Sequence, residues 1–147
     1  MTAAIANQGI RNGEPPQRGK SVISVLVGFL TVFILSLGTD QVLHVLHVYP
    51  PWGVPMWAAS LNLLALAYRL VFAVLGGYVT ARLAPRNPMR HVWTLAWIGL
   101  VFGAIGAVVG ITHPDIGPMW YPIALAVLSF PSVLLGGYLW RGRSVAR

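Results

Sequence analysis

The sequence predicts an all-α integral membrane protein with four transmembrane helices, arranged as two tandem parallel helical hairpins with both termini cytoplasmic. Three observations lead there. Four apolar runs each approach the roughly 20 residues needed to cross about 30 Å of hydrocarbon. Charged residues make up only 9% of the 147 residues against 56% hydrophobic ones, whereas a soluble domain carries about 25% charge to cover its surface. The basic residues, finally, are segregated to one side of the runs.

Residues 1–20 contain Gly9, Gly13, Glu14, Pro15, Pro16, Arg18 and Lys20 without apolar periodicity, and read as a flexible cytoplasmic tail. The first run, residues 21–39, is uncharged and continues through Asp40 to a span of about 21–46. It exceeds the roughly 7–15 residues of a signal-peptide core and lacks a small-residue cleavage site, so an uncleaved span is expected. The second span, about 57–82, is apolar apart from Asn62 and Arg69; the third, about 91–112, holds no Asp, Glu, Lys or Arg. The fourth, about 119–140, is likewise uncharged but contains Pro122 and the helix-breaking Pro131, and residues 142–147 form a basic tail. Backbone polar groups in lipid must be satisfied internally, and runs of this length do so as helices.

Orientation follows from lysine and arginine. Arg11, Arg18 and Lys20 precede the first span, Arg82, Arg86 and Arg90 lie between the second and third, and Arg141, Arg143 and Arg147 follow the fourth. The loops near 45–57 and 112–119 contain neither residue. Positively charged loops remain cytoplasmic, which places the chain in the cell (inner) membrane with both ends inside. The net charge of +7 thereby reads as contact with anionic headgroups rather than nucleic-acid binding. Trp52, Trp57, Trp93, Trp120, Trp140, Tyr49, Tyr121 and Tyr138 fall at span ends as an interfacial belt. There is no cysteine, which excludes disulfides, thiolate metal sites and thiol redox chemistry.

An internal repeat is visible. Pro55-Met56-Trp57 and Pro118-Met119-Trp120 begin the second and fourth spans, and Gly76-Gly77-Tyr78 and Gly136-Gly137-Tyr138 close them. The third span adds small residues one turn apart, Gly99 with Gly103, Gly103 with Ala107, and Gly106 with Gly110. Such glycines let helices approach closely. The expected packing positions are therefore Gly76, Gly77, Gly99, Gly103, Gly106, Gly110, Gly136 and Gly137.

Arg69 is the most informative residue, because a charge at mid-membrane costs at least about 2.5–3.5 kcal/mol and demands a partner. The chain has three acids, Glu14, Asp40 and Asp115, and only Asp40 lies within a span. With the first helix running to His47 and the second starting at Met56, Asp40 lies about 10 Å and Arg69 about 20 Å below the outer edge. Side chains lean towards a helix's own N-terminus, so these two lean towards each other. Asn62, Arg69, Ala73, Gly76 and Thr80 share one face, the expected buried side. The pair suits either a structural clamp or a polar site for an anion, a proton or a carboxylate.

A second constellation is Asp40, His44 and His47 at i, i+4 and i+7, with His113 and Asp115 in the other outer loop. These residue types suit a transition metal, and two histidines suit haem; the plainer alternative is a set of interfacial side chains facing water. No catalytic motif is present. The leading expectation is a non-catalytic accessory subunit that packs with itself or with a larger membrane complex, without a cofactor. The alternatives are a minimal dimeric transporter or channel built on Arg69 and Asp40, and a metal- or haem-binding membrane component.

Overall fold

A computed structural model describes residues 17–145, and every described residue in regular structure is helical. Helix α1 spans Gln17–Val45, α2 Ala59–Leu83, α3 Pro88–Thr112 and α4 Trp120–Val145. All four are long and apolar enough to cross a bilayer. Helices α1 and α4 run beyond the expected spans at one end of the bundle. Residues 17–20 belong to α1 and residues 142–145 to α4, where tails had been expected. The backbone there keeps its helical hydrogen bonds. Residues 1–16, most of the expected flexible tail, lie outside the described residues.

Pro131 does not break α4, which continues through it. A proline removes one backbone donor, and within a membrane neighbouring groups re-satisfy the freed carbonyls. The carbonyl left without its amide donor is that of Val127, and beside it the Ser132 hydroxyl donates to the Leu128 carbonyl at 2.8 Å.

The helices form a ring in the order α1–α2–α4–α3. Helix α2 touches all three others, whereas α1 and α4 do not meet. Side chains small enough to let backbones touch create this arrangement. Gly28 of α1 lies against the Gly76 carbonyl and the Thr80 side chain, and a Cβ on Gly76 would strike Val32. Gly77 faces the Val133 carbonyl and Gly136 faces the Val74 carbonyl, so α2 and α4 meet backbone to backbone. Gly137 receives Val92, and the α3–α4 contact continues where a Cβ on Gly103 would lie 2.8 Å from Ala126 Cα and one on Gly110 2.8 Å from Pro122 Cγ. Gly99 and Gly106, grouped with these in sequence, have nothing within 4 Å. They lie two turns apart on a face of α3 that is open, and no other helix of the chain packs against them.

A core of Ala73, Ala81, Val92, Leu95, Ala96 and Val133 fills the half of the bundle nearer residues 84–87. In that half the helices are drawn together by alanine and glycine. Towards the other end α3 and α4 stay in contact at Gly110 and Pro122, and a groove opens between α1, α3 and α4.

Candidate functional site

The functional candidate is an intramembrane polar centre in the half of the bundle away from residues 84–87. Its depth follows from two helix positions. Asp40 lies five residues before the end of α1, and Arg69 is ten residues into α2. The Arg69 guanidinium donates from Nη2 to Asp40 Oδ2 at 2.6 Å, the one ion pair among the described residues. Its Nη1 donates to the Tyr121 hydroxyl at 2.8 Å, and its guanidinium carbon lies 5.9 Å from the Tyr121 ring centroid. The Tyr68 hydroxyl donates to the other carboxylate oxygen, Asp40 Oδ1. Tyr49 continues the chain of hydroxyls, 3.3 Å from that of Tyr68. One charge pair thus ties α1, α2 and α4 and, through Tyr49, the loop of residues 46–58.

Asp40 is nearly sealed, with 8% of its side chain exposed against 27% for Arg69. The exposed part of both groups faces two cavities. One, of about 250 Å³, lies towards residues 46–58 and is walled by His44, Tyr49, Trp52, Ile116 and Tyr121. The other, of about 410 Å³, is a groove running deeper between α1, α3 and α4, lined by Phe29, Phe33, Gly99, Gly103, Gly106 and Val133 among others. Asp40 and Arg69 border both. The Nε of Arg69 is buried and has no partner among the described residues. Burial also pushes the Tyr49 phenol above its ordinary value of 10.0, so it remains a neutral donor at physiological pH.

The loop above this centre is built to stay in place. Helix α1 ends in a Schellman motif: the Val48 amide donates to the Leu43 carbonyl at 2.9 Å and the His47 amide to that of His44 at 3.1 Å. His47 therefore occupies the position that glycine usually fills, with φ 56°. The Asn62 amide donates to the carbonyls of Met56 at 2.9 Å and Ala58 at 3.0 Å, fastening the loop's other end to α2.

The structure does not gather His44, His47, His113 and Asp115, the residues named from sequence for a metal, into one group. No group of three or more histidine or acidic side chains able to hold a metal occurs among the described residues. The i, i+4, i+7 spacing presumes a helix reaching His47, but α1 stops at Val45 and the left-handed turn carries His47 out to an exposed position. The His44 ring stacks on Trp52, centroids 3.9 Å apart, and its Nδ1 lies 2.7 Å from the Asp40 carbonyl oxygen. His113 lies against its own helix, with Nδ1 3.0 Å from the Thr112 hydroxyl, and Asp115 is exposed.

Three tyrosines that complete the centre are not evident from sequence. Tyr49 and Tyr121 read there as parts of the interfacial belt, but both turn inward. Tyr68 gives no sequence signal beyond its place beside Arg69. Gly28, on which the α1–α2 approach depends, passes in the sequence as an ordinary residue of the apolar run. Asn62, Ala73, Gly76 and Thr80 do lie on the buried face of α2. Comparison with protein families, characterised proteins and solved structures finds no match for this chain.

Proposed function

We propose that this is a non-catalytic, multi-pass protein of the cell membrane, an accessory subunit that packs with itself or with a larger membrane complex. One observation carries the reading: the α1–α3 side of the bundle is unzipped. These helices meet where the Phe29 and Phe102 rings lie 5.6 Å apart, and a groove opens on either side of that contact, of about 410 Å³ and about 600 Å³. Gly99 and Gly106 face the first of them. The intramembrane charges, meanwhile, are committed to one another and leave none free for catalysis. A bundle that satisfies its polar groups internally but leaves one helical face unfilled suits a subunit completed by a membrane neighbour.

The absence of native cysteine makes the test direct. With Gly106→Cys in native membranes, mild oxidation or a short bifunctional thiol reagent should give a discrete adduct, a dimer or a larger partner. A co-purifying species should match it in mild detergent. Monomer alone at Gly106 and at Phe102→Cys, with nothing co-purifying, would overturn the accessory reading.

Sidedness belongs to the same proposal. Both termini and residues 84–87 lie in the cytoplasm, because the arginines gather at that end, and the chain consists of two tandem parallel hairpins. The shared Gly-Gly-Tyr endings support the repeat, as does the matching burial of residues 71–77 and 131–137, position for position. A membrane-impermeant thiol reagent applied to intact cells should label Asp115→Cys and spare Ser144→Cys; the reverse pattern would invert the topology.

A second reading, a minimal dimeric transporter, has a specific observation in its favour. The cavity beneath the 46–58 loop and the deeper groove meet at Asp40 and Arg69, so the ion pair occupies the position of a gate.

A further inference from the structure

The arginine-bearing end of the bundle holds a separate arrangement. Arg82 lies in the last turn of α2, Arg86 in the connecting loop, Arg90 in the first turn of α3, and Arg141 and Arg143 near the end of α4. None has a carboxylate within ion-pair distance among the described residues. The acids described, Asp40 and Asp115, both lie towards the opposite end.

Four of these arginines are sorted into two cavities. One, of about 460 Å³, is lined by Asn87, Pro88, Met89, Arg90, Trp140 and Arg141. The other, of about 380 Å³, is lined by Tyr78, Arg82, Trp140, Arg143 and Ser144. Trp140 is the shared wall, and it is held in place by packing against the buried core. The second cavity is ordered further by the Arg143 guanidinium, 5.8 Å from the Tyr78 ring centroid. In the first, no side chain caps the opening turn of α3, which leaves the positive end of the helix dipole beside Arg90. Each cavity therefore presents two guanidinium groups, hydroxyl or amide donors, and an indole suited to the membrane interface.

Guanidinium pairs match phosphate bidentately. At this depth, beside four membrane-crossing helices, the phosphate available is that of a lipid headgroup. We propose that this end is a binding site for one phospholipid bearing two phosphodiesters, a diphosphatidylglycerol, with one phosphate on each side of Trp140. Arg90 and Arg141 hold one phosphate, and Arg82 and Arg143 hold the other. Arg86 lines neither cavity and contributes only general attraction. The inference rests on the chain spanning a membrane and is independent of its role as an accessory subunit.

The test uses the full-length protein in phosphatidylcholine nanodiscs, titrated with diphosphatidylglycerol or with phosphatidylglycerol at equal phosphate. Bound lipid is read by native mass spectrometry. The two-phosphate lipid should be retained at least tenfold more tightly than its one-phosphate counterpart. R90Q/R141Q and R82Q/R143Q should each lower its affinity by about thirtyfold, the attraction of two arginines near a membrane surface, and should abolish the preference. R86Q should leave that preference intact. Because each variant is scored by the ratio of the two lipids, a general loss of folded protein cancels. Equal retention of both lipids by the wild type would overturn the proposal, as would loss of preference in R86Q equal to that in the paired variants.

Discussion

Removing either partner of the Asp40–Arg69 pair should destabilise the bundle by roughly 3–5 kcal/mol, the cost of leaving a buried charge uncompensated. The two single substitutions should not be equal. In Arg69→Leu the carboxylate keeps the Tyr68 hydroxyl as donor, and a carboxyl group can neutralise itself by taking up a proton. In Asp40→Leu the guanidinium keeps only Tyr121, and it cannot shed its charge. Asp40→Leu is therefore expected to be the worse variant. The double substitution Asp40→Leu/Arg69→Leu should recover much of the loss, since no charge remains to be stranded. Denaturant or thermal unfolding in detergent micelles gives the four values of the cycle. Additive losses in the double variant would show that the two residues act separately and that the pair is not a clamp.

The second large effect concerns the parallel contact of α2 and α4. A Cβ on Gly136 would fall inside the Val74 carbonyl oxygen, and one on Gly77 inside that of Val133. Both obstacles are backbone, so no rotamer change relieves them and the helices must separate. Gly77→Ala and Gly136→Ala should each cost about 3 kcal/mol, the upper range for overpacking, and larger side chains more. Gly99→Ala and Gly106→Ala have open space before them. They should gain up to about 1 kcal/mol from helix propensity alone. Unfolding midpoints of the four alanine variants would rank the positions; similar midpoints for all four would refute the close backbone contact.

This contrast marks what sequence alone conveys. A glycine one turn from another announces a smooth helix face, but not which way that face points. Gly103 and Gly110 meet α4 while Gly99 and Gly106 do not, because helix rotation is set by the whole bundle. The spans themselves were legible, since length and hydropathy answer directly to bilayer thickness. Their ends were less so: the polar residues at 17–20 and 142–145 remain helical because a helix need not stop where the hydrocarbon does. The Asp40–Arg69 pairing could be reasoned from scarcity, one intramembrane base facing one intramembrane acid. Its tyrosine partners could not, as a tyrosine near a membrane surface suits the headgroup layer as well as a buried donor's role. The shared helical face expected for Asp40, His44 and His47 does not form, for a local reason. It depended on two more helical residues, which the left-handed turn at His47 removes.

The ring order α1–α2–α4–α3 bears on how the protein is made. Neighbours in sequence are not all neighbours in the bundle, for α4, synthesised last, occupies a place between α2 and α3. Until it emerges, the glycine face of α2 has no occupant and Arg69 lacks its Tyr121 hydroxyl, though Asp40 is already at hand in α1. The Asp40–Arg69 contact needs only α1 and α2, so it can form before α3 and α4 are made.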